Sequence, residues 1–151
     1  MEKIYYKWDE MYTDTICICN AIKESNFIPN GIIGLARGGV IPATIASHYF
    51  DVPAHYINWS LRDGKKKDTF AVDKIAAQAA SGKKYLLIDD IVDTGDTLHL
   101  LKERMFDIKD NLKYAALWYN PSQNKSTVDF YSRVIDRSID NRWIQFPWEH
   151  E

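Results

Sequence analysis

Apolar and polar residues along the chain change their period several times. From residue 8 to about 24, Trp8, Met11, Tyr12, Ile16, Cys19 and Ile22 recur at three- and four-residue intervals, the spacing of one helix face. GIIGLARGG, residues 31–39, begins as a short apolar strand and ends in a glycine turn, and VIPATIASHYF follows with Pro42 early enough for a first helical turn. AHYINWS reads as the next strand. LRDGKKKDTF is polar and basic, which predicts an exposed, mobile loop over about 61–70, and helix resumes near 72–80. KKYLLID is β-rich and too short for a helix, TLHLLKERMF has helical spacing, and YAALWY returns to a buried strand. DFYSRVI and RWIQF close the chain as strands. Strands alternating with helices predict an α/β fold: a mostly parallel central sheet, helices on both faces, and ligands at the carboxyl ends of the strands.

Composition narrows this picture. The 151 residues suit one domain spanning 1–151, without an internal repeat or low-complexity stretch. Lys and Arg number 19 against 21 Asp and Glu, a net charge of -2, so no strong overall field draws the molecule to nucleic acid or to an anionic membrane. Any anion site must be local. The opening MEKIYYKWDEMY has no apolar core of signal-peptide type and no later stretch is long and apolar enough to span a bilayer, so a cytoplasmic chain is expected. Cys17 and Cys19 lie two apart in a helix, where side chains diverge, and are expected to be reduced core residues.

The unusual stretch is YLLIDDIVDTGDTL, residues 85–98. Residues 85–88 read as a central strand, with Asp89, Asp90 and Asp93 emerging at its carboxyl edge. Thr94, Gly95, Asp96 and Thr97 then turn into a helix beginning near Leu98. A helix start presents unpaired N–H groups and the positive end of the dipole, so this loop has the makings of a phosphate cup. The same residues also suit ordinary capping. Adjacent aspartates at a buried strand end repel one another unless hydroxyl groups or a cation satisfy them. A ligand carrying phosphate, hydroxyls and a hard cation such as Mg²⁺ would do so. A surface acidic edge is the plainer alternative.

LLIDDIVDTGDT resembles the signature of the type I phosphoribosyltransferases, which bind 5-phosphoribosyl-1-pyrophosphate. GLARGGVIPA, residues 34–43, resembles the pyrophosphate loop of the bacterial xanthine-guanine branch, and RWIQFPWE, residues 142–149, resembles its purine-binding tail. The resemblance implies the type I fold, with a small hood formed by the chain ends and a base-binding tail over about 120–151. It implies that Asp89 and Asp90 face the ribose hydroxyls and help organise Mg²⁺, that Asp93 faces N7 of a purine as the catalytic group, and that Thr94, Gly95, Asp96 and Thr97 surround the 5-phosphate. Ala36, Arg37, Gly38 and Gly39 match the pyrophosphate site, where the family often has a cis peptide before the basic residue. Trp143 matches a ring stacked on the purine, and the backbone near Ile144 would read its edge.

Each element also has a plain reading. ARGG alone can be a tight turn, and it does not give the G-x-G-x-x-G spacing. Lys65, Lys66 and Lys67 are either a solvated charge run or a hood over pyrophosphate. Trp143 can be a packed core residue. WYNPSQNK departs from the branch, which usually has a lysine before the proline. Here Asn120 stands before Pro121 and takes that base-binding position with an amide that can donate but carries no charge, so the preference among hypoxanthine, guanine and xanthine stays open, with Lys125 a substitute if the loop folds back. The implied function is purine salvage: transfer of the phosphoribosyl group to a free 6-oxopurine, giving the nucleoside monophosphate and pyrophosphate. The alternative is a non-catalytic phosphoribosyl pyrophosphate-binding regulator on the same fold. Enzymes of this branch commonly associate, so a homo-oligomer is expected, with small-molecule substrates and neither nucleic acid nor membrane as partner.

Overall fold

The computed structural model describes residues 2–59 and 68–150. The expected mobile loop at 61–70, with Lys65, Lys66 and Lys67, falls largely outside them; its far end is already helix. The elements in order are β1 (Lys3–Tyr5), α1 (Trp8–Glu24), β2 (Gly31–Ala36), α2 (Val40–Phe50), β3 (Ala54–Asn58), α3 (Thr69–Ala80), β4 (Tyr85–Val92) and α4 (Asp96–Arg104). A 3-10 segment (Phe106–Asn111), β5 (Leu112–Tyr119), β6 (Phe130–Val134) and β7 (Trp143–Gln145) follow.

Five strands form a sheet of order β3-β2-β4-β5-β6, and every pairing in it is parallel. Alternate side chains of a strand point to opposite faces, and both faces are covered. On one side Ile32, Leu86, Ile88, Ala115 and Leu117 pack with Ile18, Ile22, Ala43 and Ala46 of α1 and α2. On the other, Ile33, Leu35, Tyr85 and Leu87 meet Val72, Ile75, Leu98 and Leu101 of α3 and α4. This two-sided burial explains why the central strands read as unbroken apolar runs. β1 pairs in parallel with β7 to make a separate two-stranded sheet from the two chain ends, the hood.

The buried face of α1 is rotated from the one its apolar residues predict. Met11, Asp14, Thr15, Ile18, Cys19 and Ile22 are buried, whereas Trp8 and Tyr12 are more than half exposed. Two polar residues can occupy that face because their groups are satisfied. The Asp14 carboxylate accepts from the Tyr6 hydroxyl and from Arg133 Nε of β6 (2.7 Å), and the Thr15 hydroxyl donates to the Met11 carbonyl (2.8 Å). The cysteines divide accordingly, Cys19 buried and Cys17 exposed, both free, so Cys17 is not a core residue. No helix among the described residues is long and apolar enough to cross a membrane.

Candidate functional site

The sheet order fixes where a site can form. The chain passes from β2 through α2 to β3 on one side, then crosses by α3 to β4 on the other side of β2. The boundary between β2 and β4 is therefore the point where the winding reverses, and parallel sheets bind ligands at the carboxyl ends flanking such a boundary. The β2–β4 ladder ends at Gly34↔Ile88. Each strand continues with its outer neighbour, β2 to Ala36↔Asn58 and β4 to Val92↔Tyr119. The two strand ends diverge and leave a cleft of about 840 Å³ between them.

Ala36, Arg37, Gly38, Asp89, Asp90, Asp93 and Thr97 line that cleft from the sheet side, and Trp143, Ile144, Phe146 and Trp148 line it from the hood. Asp89 and Asp90 belong to the strand itself, because β4 runs to Val92 rather than ending at residue 88. β5 is long enough to keep pairing with it, Asp89 lying opposite Ala116. The Asp89 and Asp90 carboxylates also each accept the next residue's backbone N–H, at 2.8 and 2.7 Å.

The glycines of the β2–α2 loop are required by close approach. A Cβ on Gly38 would overlap the Asp90 carboxylate, and one on Gly39 would meet the Ile88 carbonyl oxygen and lie 2.8 Å from the Leu35 nitrogen. The loop thus lies directly on the end of β4, which brings Arg37 and the acidic pair to one rim. The Ala36–Arg37 peptide is cis, a feature that composition and spacing left open. Gly39 lies buried behind the cleft lining.

After Asp93 the chain turns through Gly95, whose φ of 81° lies in the left-handed region that favours glycine, and α4 begins at Asp96. The Thr94 hydroxyl accepts the Asp96 N–H at a long 3.3 Å; no other side chain caps this helix among the described residues. The amide ends of the first turn therefore remain available to an anion. Thr97 reaches the cleft, while Thr94, Gly95 and Asp96 continue the loop beside it. Lys125 Nζ is 2.5 Å from Asp96 Oδ1, and this contact holds the Asp96 carboxyl below its ordinary range. Lys125 is thereby directed to the start of α4 and away from the hood.

Asn120 sits at the end of β5, only 4% exposed and absent from the cleft lining. Its Nδ2 donates to the Asp93 carbonyl at 3.0 Å. Its Oδ1 accepts from the Ser122 amide (3.1 Å), the Ser122 hydroxyl (2.6 Å) and the Arg137 amide (3.1 Å). The amide braces Asp93 and the following turn from behind.

Arg137 is the site residue that sequence reasoning did not single out. It lines the cleft and grips Asp93 in a fork: Nε lies 3.1 Å from Oδ1 and Nη2 lies 3.1 Å from Oδ2. Its Nη1 donates to the Arg142 carbonyl at 2.5 Å. Arg142 is itself paired with Asp140 at 2.9 Å, which holds the Asp140 carboxyl down at about 2. Arg137 lies 44 residues from Asp93 in a polar segment without periodicity, so no local pattern marks it.

The hood presents an aromatic wall. Trp143 is 46% exposed, so it is not a packed core side chain, whereas Ile144 and Phe146 are buried. Phe146 stacks on Trp148 with ring centroids 5.3 Å apart, and Tyr6 and Trp8 pack edge-on against Phe146 and Trp148. The N-terminal segment therefore backs the rings that face the cleft.

Comparison with known proteins bears on this arrangement. The model of the phosphoribosyl transferase domain matches residues 4–151. The chain is 33% identical over 149 residues to a xanthine-guanine phosphoribosyltransferase of Idiomarina loihiensis, covering 97% of this chain and 87% of the relative. It is 31% identical over 147 residues to the protein of the same name in Desulfotalea psychrophila, covering 95% and 84%. The crystal structure of a purine phosphoribosyltransferase from Pyrococcus horikoshii superposes with a TM-score of 0.75 at 28% identity, covering 100% of this chain and 97% of that one. With a matching domain over nearly its whole length and a cleft at the sheet's switch point, the chain belongs to the phosphoribosyltransferase family.

Proposed function

We propose that the protein is a purine phosphoribosyltransferase, joining a free 6-oxopurine to the phosphoribosyl group of phosphoribosyl pyrophosphate and releasing pyrophosphate. The observation that carries this reading is the convergence of three aspartates, an arginine loop and an aromatic hood on one cleft. The chemistry needs each part. A base nitrogen attacks the anomeric carbon as its bond to the pyrophosphate oxygen breaks, so positive charge grows on the ribose and negative charge on the leaving group. Asp89 and Asp90 face the sugar, and Arg37 with the Gly38 backbone faces pyrophosphate, so both charges develop against fixed partners; the Gly39 N–H is already given to the Leu35 carbonyl at 2.7 Å and closes the turn behind them. The helix start at Thr94, Gly95, Asp96 and Thr97 holds the 5-phosphate. Asp93 takes the proton that the base loses.

Mg²⁺ fits this donor set. The ion is commonly held by one or two carboxylates together with substrate phosphate oxygens, and Asp89 and Asp90 supply the carboxylates. No cluster of three metal-ligating side chains occurs among the described residues, so substrate would complete the shell. When bound, the ion supplies charge neutralisation at the pyrophosphate oxygens.

The decisive experiment is incubation with Mg²⁺, phosphoribosyl pyrophosphate and hypoxanthine, guanine, xanthine or adenine in turn. Pyrophosphate release is expected with at least one 6-oxopurine and is expected to stop when the metal is chelated. Tight binding of phosphoribosyl pyrophosphate without release for any base would instead favour the regulatory alternative. Light scattering of the same sample measures the homo-oligomer that the family resemblance implies.

Trp143 gives a more local test. Stacking of a base on an aromatic ring is worth about 1–3 kcal/mol, and Trp143 is half exposed. Trp143→Ala is therefore expected to raise KM for the base about tenfold or more, with little change in KM for phosphoribosyl pyrophosphate or in Tm. A large fall in Tm with unchanged KM would return the residue to a packing role.

A further inference from the structure

We infer that Arg137 is a specificity-determining residue for the base, acting with Asp93 as a joined donor and acceptor that selects a 6-oxopurine over a 6-aminopurine. The inference rests on the proposed purine transfer and assigns its base selection to a residue outside the three sequence motifs.

The geometry starts from the hydrogens of the guanidinium. Arginine has five N–H donors in a fixed fork. One on Nε and one on Nη2 go to Asp93, and the two on Nη1 go to the carbonyls of Arg142 (2.5 Å) and Asp140 (3.4 Å). The second Nη2 hydrogen has no acceptor among the described residues. It belongs to a side chain that lines the cleft together with Asp93, Trp143 and Ile144.

The pair offers two complementary functions side by side, since Nη2 lies 3.1 Å from Asp93 Oδ2. A carboxylate oxygen accepts and the neighbouring Nη2–H donates. The free 6-oxopurine, as its N7–H tautomer, presents the converse on one edge, a donor at N7 and an acceptor at O6. Adenine presents a donor amino group in place of O6, which would point hydrogen at hydrogen. A site built to hydrogen-bond one group rejects an analogue that lacks it far better than an apolar pocket can.

Hydrogen bonds within the protein hold this arrangement from behind. The Arg137 amide donates to Asn120 Oδ1 at 3.1 Å, and Asn120 Nδ2 donates to the Asp93 carbonyl at 3.0 Å. One buried amide thus sets both members of the pair. The fork holds the planar guanidinium against the carboxylate, so little rotational freedom remains to be lost when a base binds.

The test compares wild type, Arg137→Met and Arg137→Lys with hypoxanthine, guanine and adenine, adenine being followed as turnover or as competitive inhibition. Phosphoribosyl pyrophosphate affinity is measured separately by calorimetry. Loss of a hydrogen bond to a charged donor corresponds to roughly a ten- to hundredfold effect. Arg137→Met is expected to lose that much in kcat/KM for hypoxanthine and guanine, mainly through KM for the base. Adenine should change by less than about threefold and phosphoribosyl pyrophosphate affinity should hold, so discrimination collapses. Arg137→Lys, which keeps the charge without the fork, should recover part of it, and its base panel decides the matter should the methionine variant fail to fold. An equal loss for all three bases, a loss confined to kcat, or no loss would overturn the inference and leave Arg137 as a brace for Asp93. A wild-type protein that turns over no base at all would contradict the transferase reading itself, a separate outcome.

Discussion

Asp93→Asn is expected to lower kcat about 10²- to 10⁴-fold, the usual range for removing a positioned proton acceptor, while affinity for phosphoribosyl pyrophosphate changes less than about threefold. The asparagine keeps the shape of the side chain and an oxygen for Arg137, so the fork that reaches Asp93 through Nε and Nη2 is kept in part. What it cannot do is take a proton from the base. The carboxylate sits beyond the last strand residue, Val92, clear of the acidic pair proposed to face the sugar, and this separation is why binding and turnover should divide. Steady-state kinetics with hypoxanthine, together with calorimetry for phosphoribosyl pyrophosphate, checks both halves. Unchanged turnover would remove Asp93 from the chemistry; an equal loss of sugar-phosphate affinity would make it part of that subsite instead.

The second large effect is expected at Gly39, and it contrasts with its neighbour. A Cβ at Gly39 would press on the backbone of both central strands, the Ile88 carbonyl of β4 and the Leu35 amide of β2. Neither atom can move without opening the sheet at the point where the cleft begins. Overpacking of a rigid site costs about 1–3 kcal/mol, at times more, and Gly39→Ala is expected at or above the top of that range, with turnover lost as well. At Gly38 the obstacle is the Asp90 carboxylate, the end of a side chain that can rotate away. Gly38→Ala should therefore keep a Tm within a few degrees of wild type yet bind phosphoribosyl pyrophosphate at least about tenfold more weakly, because Asp90 is turned from the sugar. Urea denaturation and calorimetry on the two variants separate the cases. A Gly39→Ala protein of unchanged stability would mean that the loop is not seated on β4 as described.

What the sequence reveals and what it hides follow from the range of the interactions involved. The parallel sheet is legible because strands buried on both faces must be apolar throughout, as in Leu86, Leu87 and Ile88. The motif residues are legible because loop chemistry at strand ends is local. The face of α1 is misread because apolar character stands in for burial, whereas Asp14 is buried through partners 8 and 119 residues away. The strand carrying Asp89 and Asp90 reads as ending too soon, since carboxylates look like a boundary and only the length of β5 shows that pairing continues. Lys125 and Arg137 exchange expectations for a similar reason. A lysine five residues after Asn120 looks placed to serve the base, but it closes on Asp96, while the cation at the base side of the cleft comes from a polar turn with no pattern of its own.

The central claim is that one sugar phosphate lies across the ends of β2 and β4, bridging the arginine loop, the acidic pair and the start of α4. A crystal structure of the protein with Mg²⁺, pyrophosphate and the product nucleoside monophosphate tests it most directly. Pyrophosphate is expected against Arg37 and Gly38, ribose hydroxyls at Asp89 and Asp90, the 5-phosphate on the amides of Thr94, Gly95, Asp96 and Thr97, and the base between Trp143 and the Asp93–Arg137 pair. A nucleotide bound elsewhere, or bound in the cleft with its phosphate away from the start of α4, would contradict it.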